Sequence, residues 1–381
     1  MKKKLKIFLI AGEPSGDFLG AQLMKALKRR SKQDLQFHGV GGAQMAAEGL
    51  ETLIPLSALS AMGIVEIVTK IPKLLGYINT VYKTIKHTKP DVVVTIDFPG
   101  FNFRLGQKIK PLGIPLVHFV APTVWAWKQW RAEKISHFVT HLLTLFQFEP
   151  PYFEKYGLPT TCVGHPLVEI GLDQGEGAKF RDKYHIPEKS PVLLFLPGSR
   201  SSELYHHVPV FLKTAEILAQ KLPDLRIVVP TLPDLSDYLQ NIWNTSAETI
   251  FIIDQEDKKN AYAASSLALA ASGTVTLELA LANVPTVMTY KVSKLTEWIA
   301  RRFIKIKYAC MINILLDEAV IPELLQQDCN ADTLSKEILK LLNSKGKRDL
   351  QKEAFAKIKK LLHPHKESPS TCAAEVIAKF L

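Results

Sequence analysis

The stretch Leu193-Leu194-Phe195-Leu196-Pro197-Gly198-Ser199-Arg200-Ser201-Ser202-Glu203 constrains the fold more than any other in this chain. An apolar run, cut off by Pro-Gly and followed by an amphipathic run from about Glu203 to Lys221, predicts a buried strand, a tight turn and a helix. The first turn of such a helix has free N–H groups and the positive end of the helix dipole, a setting that favours phosphate. Arg200 is placed to clamp phosphate oxygens with two parallel hydrogen bonds. The same residues also suit an ordinary strand-to-helix turn with an exposed arginine, since no full glycine fingerprint is present.

The strand–turn–helix pattern recurs from the start of the chain. Lys6–Ala11 is an apolar run feeding the loop Gly12–Gly16, and Phe18, Leu19, Leu23, Met24 and Leu27 then recur at helical spacing up to Arg30. Phe37–Val40 follows as a second strand ending in Gly41-Gly42. Ser15 and Gly16 open the first helix, either as an anion site or as a plain cap. Asp91–Ile96 is a buried strand that delivers Asp97 to its carboxyl end, where open parallel sheets place their chemistry. Asp97 is there either as a general base or as a holder of the Phe98–Asn102 turn. Leu116–Val120 and Leu142–Phe146 are further strands, the latter the last of a first domain. Trp125 and Trp127, between them, are core, loop packing or a ligand platform. His165, just before Pro166, either reaches a cleft or is structural.

A polar, glycine-rich segment at Asp173–Gly177 marks the change of domain, giving a first domain over 1–168, a second over 169–350 and C-terminal helices over 351–381 that are able to cross back. The second series has strands at 192–196, Arg226–Val229, 250–253, Leu267–Ala271 and Val284–Thr289, and helices at 203–221, 234–244 and 257–265. Ser272-Gly273-Thr274 opens another helix with small and hydroxyl residues, a second anion setting. Glu278, one turn in, has the position from which an acidic residue meets ribose hydroxyls.

The chain has 381 residues, enough for two ordinary domains, and a formal net charge of +11. That excess calls for an anionic partner: nucleic acid, an acidic membrane surface or a phosphorylated substrate. No zinc knuckle, aromatic RNA-binding signature or basic run favours nucleic acid. The four cysteines are scattered without a CxxC pair, which predicts neither disulfide framework nor metal site and fits a reducing cytoplasm. The apolar run after the N-terminal lysines is too short for a signal peptide, and no run reaches transmembrane length. Two stretches suit a membrane surface instead. Ile64–Ile85 carries an apolar helical stripe among lysines and is expected to break at Pro72. Lys291–Lys307 interleaves six cations with Leu295, Trp298, Ile299, Phe303, Ile304 and Ile306. Each is either a core-packed helix or an interfacial one.

Taken together and in order, Gly12-Glu13-Pro14-Ser15-Gly16-Asp17, Ile96–Asn102, Pro122–Trp127, Val163-Gly164-His165-Pro166, Leu196–Arg200 and Ser272–Glu278 resemble lipid-A-disaccharide synthase over nearly the whole chain. The resemblance implies an inverting glycosyltransferase, independent of metal and cofactor, with two Rossmann-like α/β domains facing a cleft, the GT-B arrangement. Its reaction joins UDP-2,3-diacylglucosamine to 2,3-diacylglucosamine 1-phosphate, at the cytoplasmic face of the inner membrane. By resemblance, Ser199, Arg200, Ser272, Gly273 and Thr274 hold the pyrophosphate, Glu278 the ribose, and Asn313 lies close to the nucleotide. Glu13, Ser15 and Gly16 line the acceptor side, and Asp97 is the base. The runners-up are a UDP-GlcNAc transferase acting on lipid-linked peptidoglycan precursors, a UDP-sugar epimerase, and a UDP-sugar-binding membrane protein without turnover. Acyl-chain length and oligomeric state are not written in these residues.

Overall fold

The structure is a computed structural model that describes residues 4–60, 67–198, 200–231, 239, 249–303 and 306–381. It divides into two units, one of Met1–Glu169 with Leu362–Leu381, the other of Ile170–Leu361. The expected helix over 234–244 falls outside the described residues apart from Leu239.

The first unit is built on seven parallel strands: β1 (Leu5–Ala11), β2 (Leu35–Val40), β3 (Leu50–Thr52), β4 (Val92–Ile96), β5 (Leu116–Phe119), β6 (His141–Thr144) and β7 (Thr160–Cys162). Their order in the sheet is β3-β2-β1-β4-β5-β6-β7. Every residue of β4 is buried, as a central strand covered on both faces requires. At about 1.5–3 kcal/mol for each fully buried valine or isoleucine, such strands supply much of the driving force for folding. The helix Pro14–Arg30 begins with Pro14 in its first turn and ends on Lys28, Arg29 and Arg30, which complement the dipole. It buries Leu19, Leu23, Met24 and Leu27. The C-terminal helix Pro369–Ala378 packs on it, with Arg30 paired to Glu375 at 2.8 Å.

The second unit carries six parallel strands: β8 (Val192–Leu196), β9 (Arg226–Thr231), β10 (Ile250–Asp254), β11 (Leu267–Ala271), β12 (Thr286–Tyr290) and β13 (Glu323–Leu325). The order is β10-β9-β8-β11-β12-β13. The helix Ser201–Lys221 packs Leu204, Val208, Phe211 and Leu218 over Leu193 and Phe195.

Several expectations need correction. Strands β3, β7 and β13 went unread, because three residues show no periodicity; β6 is therefore not the last strand of the first unit. The helix Ile67–Thr88 runs through Pro72 without a break. Pro72 lies in its second turn, where it removes one ladder bond near an end, and Ile78, Val81 and Ile85 anchor the rest in the core. The return to the first unit falls at Leu362 and not near 351, since Lys345–Leu362 is one helix that packs in the second unit as far as Leu361. His165 N–H donates to the Leu362 carbonyl at 2.8 Å, where the chain rejoins the first unit.

Candidate functional site

In the first unit β1 lies beside β4, with Ala11 paired to Ile96. The expected loop Gly12–Gly16 shortens to Gly12-Glu13, because the helix already starts at Pro14, and this turn and Asp97 leave the sheet side by side. They do so where the strand order reverses, the position at which open parallel sheets bind their ligands. The two segments also interlock: a Cβ on Gly12 would lie 2.2 Å from the Phe98 ring, so only glycine admits that ring. Asp97 and Phe98 both adopt left-handed backbone, φ +46° and +49°. For non-glycine residues this costs about 1–2 kcal/mol each, a kind of strain that concentrates at functional sites. The surroundings hold it in place. Asp97 N–H donates to Phe119 O at 2.8 Å, and the buried Asn102 side chain donates to Asp97 O at 2.6 Å. The N–H groups of Phe101 and Asn102 go to Phe98 O. Two of the donors with which Asp97 would brace this turn are thus already engaged.

The helix beyond Gly12 is capped by the Glu13 backbone, whose carbonyl accepts Asp17 N–H; no side-chain cap bond is made, by Ser15 or otherwise. Ser15 is exposed, and Gly16 packs against Ala11. Asp17, from the same motif, faces inward. Its carboxylate accepts the N–H groups of Gly42 (2.7 Å), Gln44 (3.0 Å) and Met45 (3.0 Å), so it starts the short helix Ala43–Ala47.

At the ends of β5 and β6, Trp125 packs edge-on to Phe148, and Lys128 sits over the Trp127 ring at 3.9 Å. Glu149 is buried there and accepts the N–H groups of Leu145 and Phe146. Burial raises its carboxyl from 4.5 to about 7 despite those two bonds. The Trp125 indole N–H lies close by without hydrogen-bond geometry. His165 is structural: burial lowers it to about 4, and the neutral ring accepts Leu167 N–H on Nδ1.

The second unit repeats the arrangement. β8 lies beside β11 with Leu196 paired to Ala270, so the Pro197–Arg200 turn and Ser272-Gly273-Thr274 leave together at the reversal of strand order. Gly198, at φ +119°, sits where a Cβ would meet the Glu203 side chain. Glu203 reaches back to accept Arg200 N–H at 3.3 Å and to pair with the Arg200 guanidinium at 3.3 Å. The guanidinium is exposed and the carboxylate largely covered. Ser199 lies outside the described residues. His207 ties this turn to β12: its Nε2 accepts Lys291 N–H at 2.9 Å, which leaves Nδ1–H to donate to Pro197 O at 2.7 Å. Burial holds its pKa below the usual histidine range, so the neutral ring fits both bonds.

Glu278 is oriented from a neighbouring helix that the sequence did not connect to it. Lys258 Nζ lies 2.6 Å from Oε2, and the buried Tyr262 hydroxyl donates to the same oxygen at 3.0 Å. Lys258 and Tyr262 are one helical turn apart, a spacing visible in sequence, but their partner is set by the β10–β11 crossover alone. Asn313 requires a correction. It is fully buried, its amide donates to Ile321 O and Glu323 Oε1, and its oxygen accepts Val320 and Ile321 N–H. Nothing is left for a ligand. It is connected to Ser272 through its neighbours: Glu323 also accepts Ala309 and Cys310 N–H, and the Ala309 carbonyl accepts the Ser272 hydroxyl.

The model of the family described as Lipid-A-disaccharide synthetase matches residues 7–377. A lipid-A-disaccharide synthase of Rhodospirillum centenum is 45% identical over 100% of this chain and 95% of that protein. One from Paramagnetospirillum magneticum is 43% identical over 98% of this chain and 97% of its own. Among solved structures, the UDP-GlcNAc 2-epimerase of Methanocaldococcus jannaschii, in complex with UDP-GlcNAc and UDP, superposes with a TM-score of 0.62 at 15% identity, covering 100% of both chains. That likeness shows the two-sheet α/β fold.

Proposed function

Because the chain belongs to the lipid-A-disaccharide synthetase family, we propose that it transfers a diacylglucosamine from UDP-2,3-diacylglucosamine to the 6-hydroxyl of 2,3-diacylglucosamine 1-phosphate, with inversion. The new bond joins the acceptor O6 to the sugar C1, the bond from C1 to the UDP oxygen breaks, and the hydroxyl proton goes to Asp97. The second unit takes the UDP. Arg200, at the start of the helix Ser201–Lys221, and the turn Ser272-Gly273-Thr274 receive the diphosphate, where negative charge grows as UDP departs. Ser199 joins them on sequence grounds. Glu278 receives the ribose through Oε1, its other oxygen being engaged by Lys258 and Tyr262. Asn313 acts through Glu323 and Ala309 on Ser272. In the first unit Glu13, Ser15 and Gly16 hold the acceptor beside Asp97.

The observation that carries this reading is the paired emergence of the Gly12–Gly16 motif with Asp97, and of Pro197–Arg200 with Ser272–Thr274, at the two reversals of strand order, in a chain matched over residues 7–377 by one family. The membrane face is supported by Leu75 on the helix Ile67–Thr88 and by Leu295, Trp298 and Phe303 on the helix Lys294–Phe303, all exposed. No helix among the described residues is long and apolar enough to cross a membrane; the contact read from these exposed side chains is a peripheral one, which we assign to the inner face of the inner membrane.

Incubation of the purified chain with both acylated glucosamines, followed by mass spectrometry, tests the reaction. A tetraacyl disaccharide 1-phosphate and one equivalent of UDP are expected. UDP released without disaccharide, or full turnover by Asp97→Ala, would refute it, and epimerised UDP-sugar would favour the neighbouring activity.

A further inference from the structure

Between the helices Pro99–Ile109 and Trp130–Ser136 of the first unit lies a cavity of about 250 Å³. Arg104, Arg131 and Lys134 line it together with Trp130, Gln107 and Gly100, and no carboxylate is among its lining residues. Arg104 donates to the Gly100 carbonyl, and neither Arg131 nor Lys134 has an ion pair among the described residues. Three cations around one hollow repel one another, and an anion entering it relieves that cost. Two guanidiniums supply the planar donor forks that suit a phosphate, and the lysine adds a point charge. The hollow also opens at the right place. Gly100 and Pro99, on its wall, follow Asp97 by only two or three residues, and a Cβ on Gly100 would meet nothing within 4 Å, so this edge is unobstructed.

We propose that this cavity is the subsite for a phosphate monoester carried by the acceptor lipid, held while the acceptor hydroxyl meets Asp97. The inference rests on the proposed reaction and adds to it the residues that select the acceptor by its phosphate. Trp130, more than half exposed, and the half-buried Phe103 give the same hollow an apolar wall, consistent with a lipid-borne phosphate.

The test compares wild type with the double variant Arg131→Gln/Lys134→Gln and the single variant Arg104→Gln, in neutral detergent, using the acceptor with and without its 1-phosphate. Wild type should prefer the phosphorylated acceptor. The double variant should lose at least tenfold in kcat/KM for that acceptor, keep its rate on the dephosphorylated one, and keep the KM of the UDP-sugar. A loss shared equally by both acceptors, or an undiminished preference for the phosphate, would overturn the inference. A phospholipid headgroup, a phosphodiester, is the other lipid-borne source of a phosphate anion. Sedimentation with phosphatidylglycerol vesicles separates them: vesicle binding lost while the acceptor preference persists would also overturn it. Failure of wild type to make disaccharide would instead strike the proposed reaction. Equal thermal midpoints for all variants ensure that folding is not what is measured.

Discussion

Asp17 ends the most site-like motif of the chain, yet its carboxylate is spent on structure. In Asp17→Ala three backbone N–H groups lose their acceptor: Gly42, Gln44 and Met45. A hydrogen bond to a charged group is worth about 1.5–3 kcal/mol, but the three bonds share one carboxylate and are not additive. Water can replace part of the loss at Gly42 and Gln44, whose bonds are only partly buried, whereas the Met45 bond is buried. The residue is 4% exposed, so the site has little room to adapt. A loss of about 3–5 kcal/mol follows, the cost of leaving one buried and two partly buried N–H groups without their charged acceptor. For a unit of this size that amounts to roughly 10 °C in the midpoint of its unfolding. Asp17→Asn keeps one acceptor oxygen without the charge and should fall between the two. Calorimetry measures both. A loss under about 1 kcal/mol, or an unchanged midpoint with activity abolished, would refute the structural assignment.

Three further outcomes are expected. Tyr262→Phe removes one of the two bonds that orient Glu278, so UDP affinity should weaken by about tenfold, with little change for a UDP analogue lacking the ribose hydroxyls; isothermal titration reads both, and equal weakening for the two ligands would contradict the ribose role. Glu149 keeps its proton to about pH 7 when folded but releases it near 4.5 when unfolded. Over that window the unfolded chain binds fewer protons, so stability present below pH 4.5 is lost as pH rises to about 7, by about 3 kcal/mol in total. Glu149→Gln should lack this loss, and denaturant midpoints that run parallel for wild type and variant from pH 4.5 to 8 would exclude it. Replacing Leu295 and Trp298 together by Ser should reduce sedimentation with anionic vesicles several-fold while sparing turnover in detergent; unchanged sedimentation would remove that helix from the membrane contact.

Much of this arrangement was legible in the residues. The runs at Lys6–Ala11, Asp91–Ile96, 192–196 and Leu267–Ala271 are long and uniform enough to be read as strands, and all four became the inner strands at the two reversals of order. Residues just after a strand inherit its position, so the placement of Gly12, Asp97, Arg200 and Ser272 at strand ends was legible in the sequence. Short edge strands such as β3 and β13 were not, since three residues carry no pattern and owe their form to neighbours.

What remained for the tertiary structure was the direction of each polar side chain. Asp17, Asp97 and Asn313 are polar residues whose partners cannot be told from their places along the chain. Folding spends Asp17 on three amides and Asn313 on four bonds, and it holds Asp97 in a strained turn at the sheet's switch point. The cations of the Arg104–Lys134 hollow, and the Lys258–Tyr262 grip on Glu278, likewise join residues 16 to 30 positions apart. The physical reason is that local pattern reports which face of an element is apolar, whereas a polar group's partner depends on which elements the crossovers bring into contact. Sequence therefore determined where the paired segments of each unit leave their sheet, and only the packed fold decided which polar side chains on them are spent on structure.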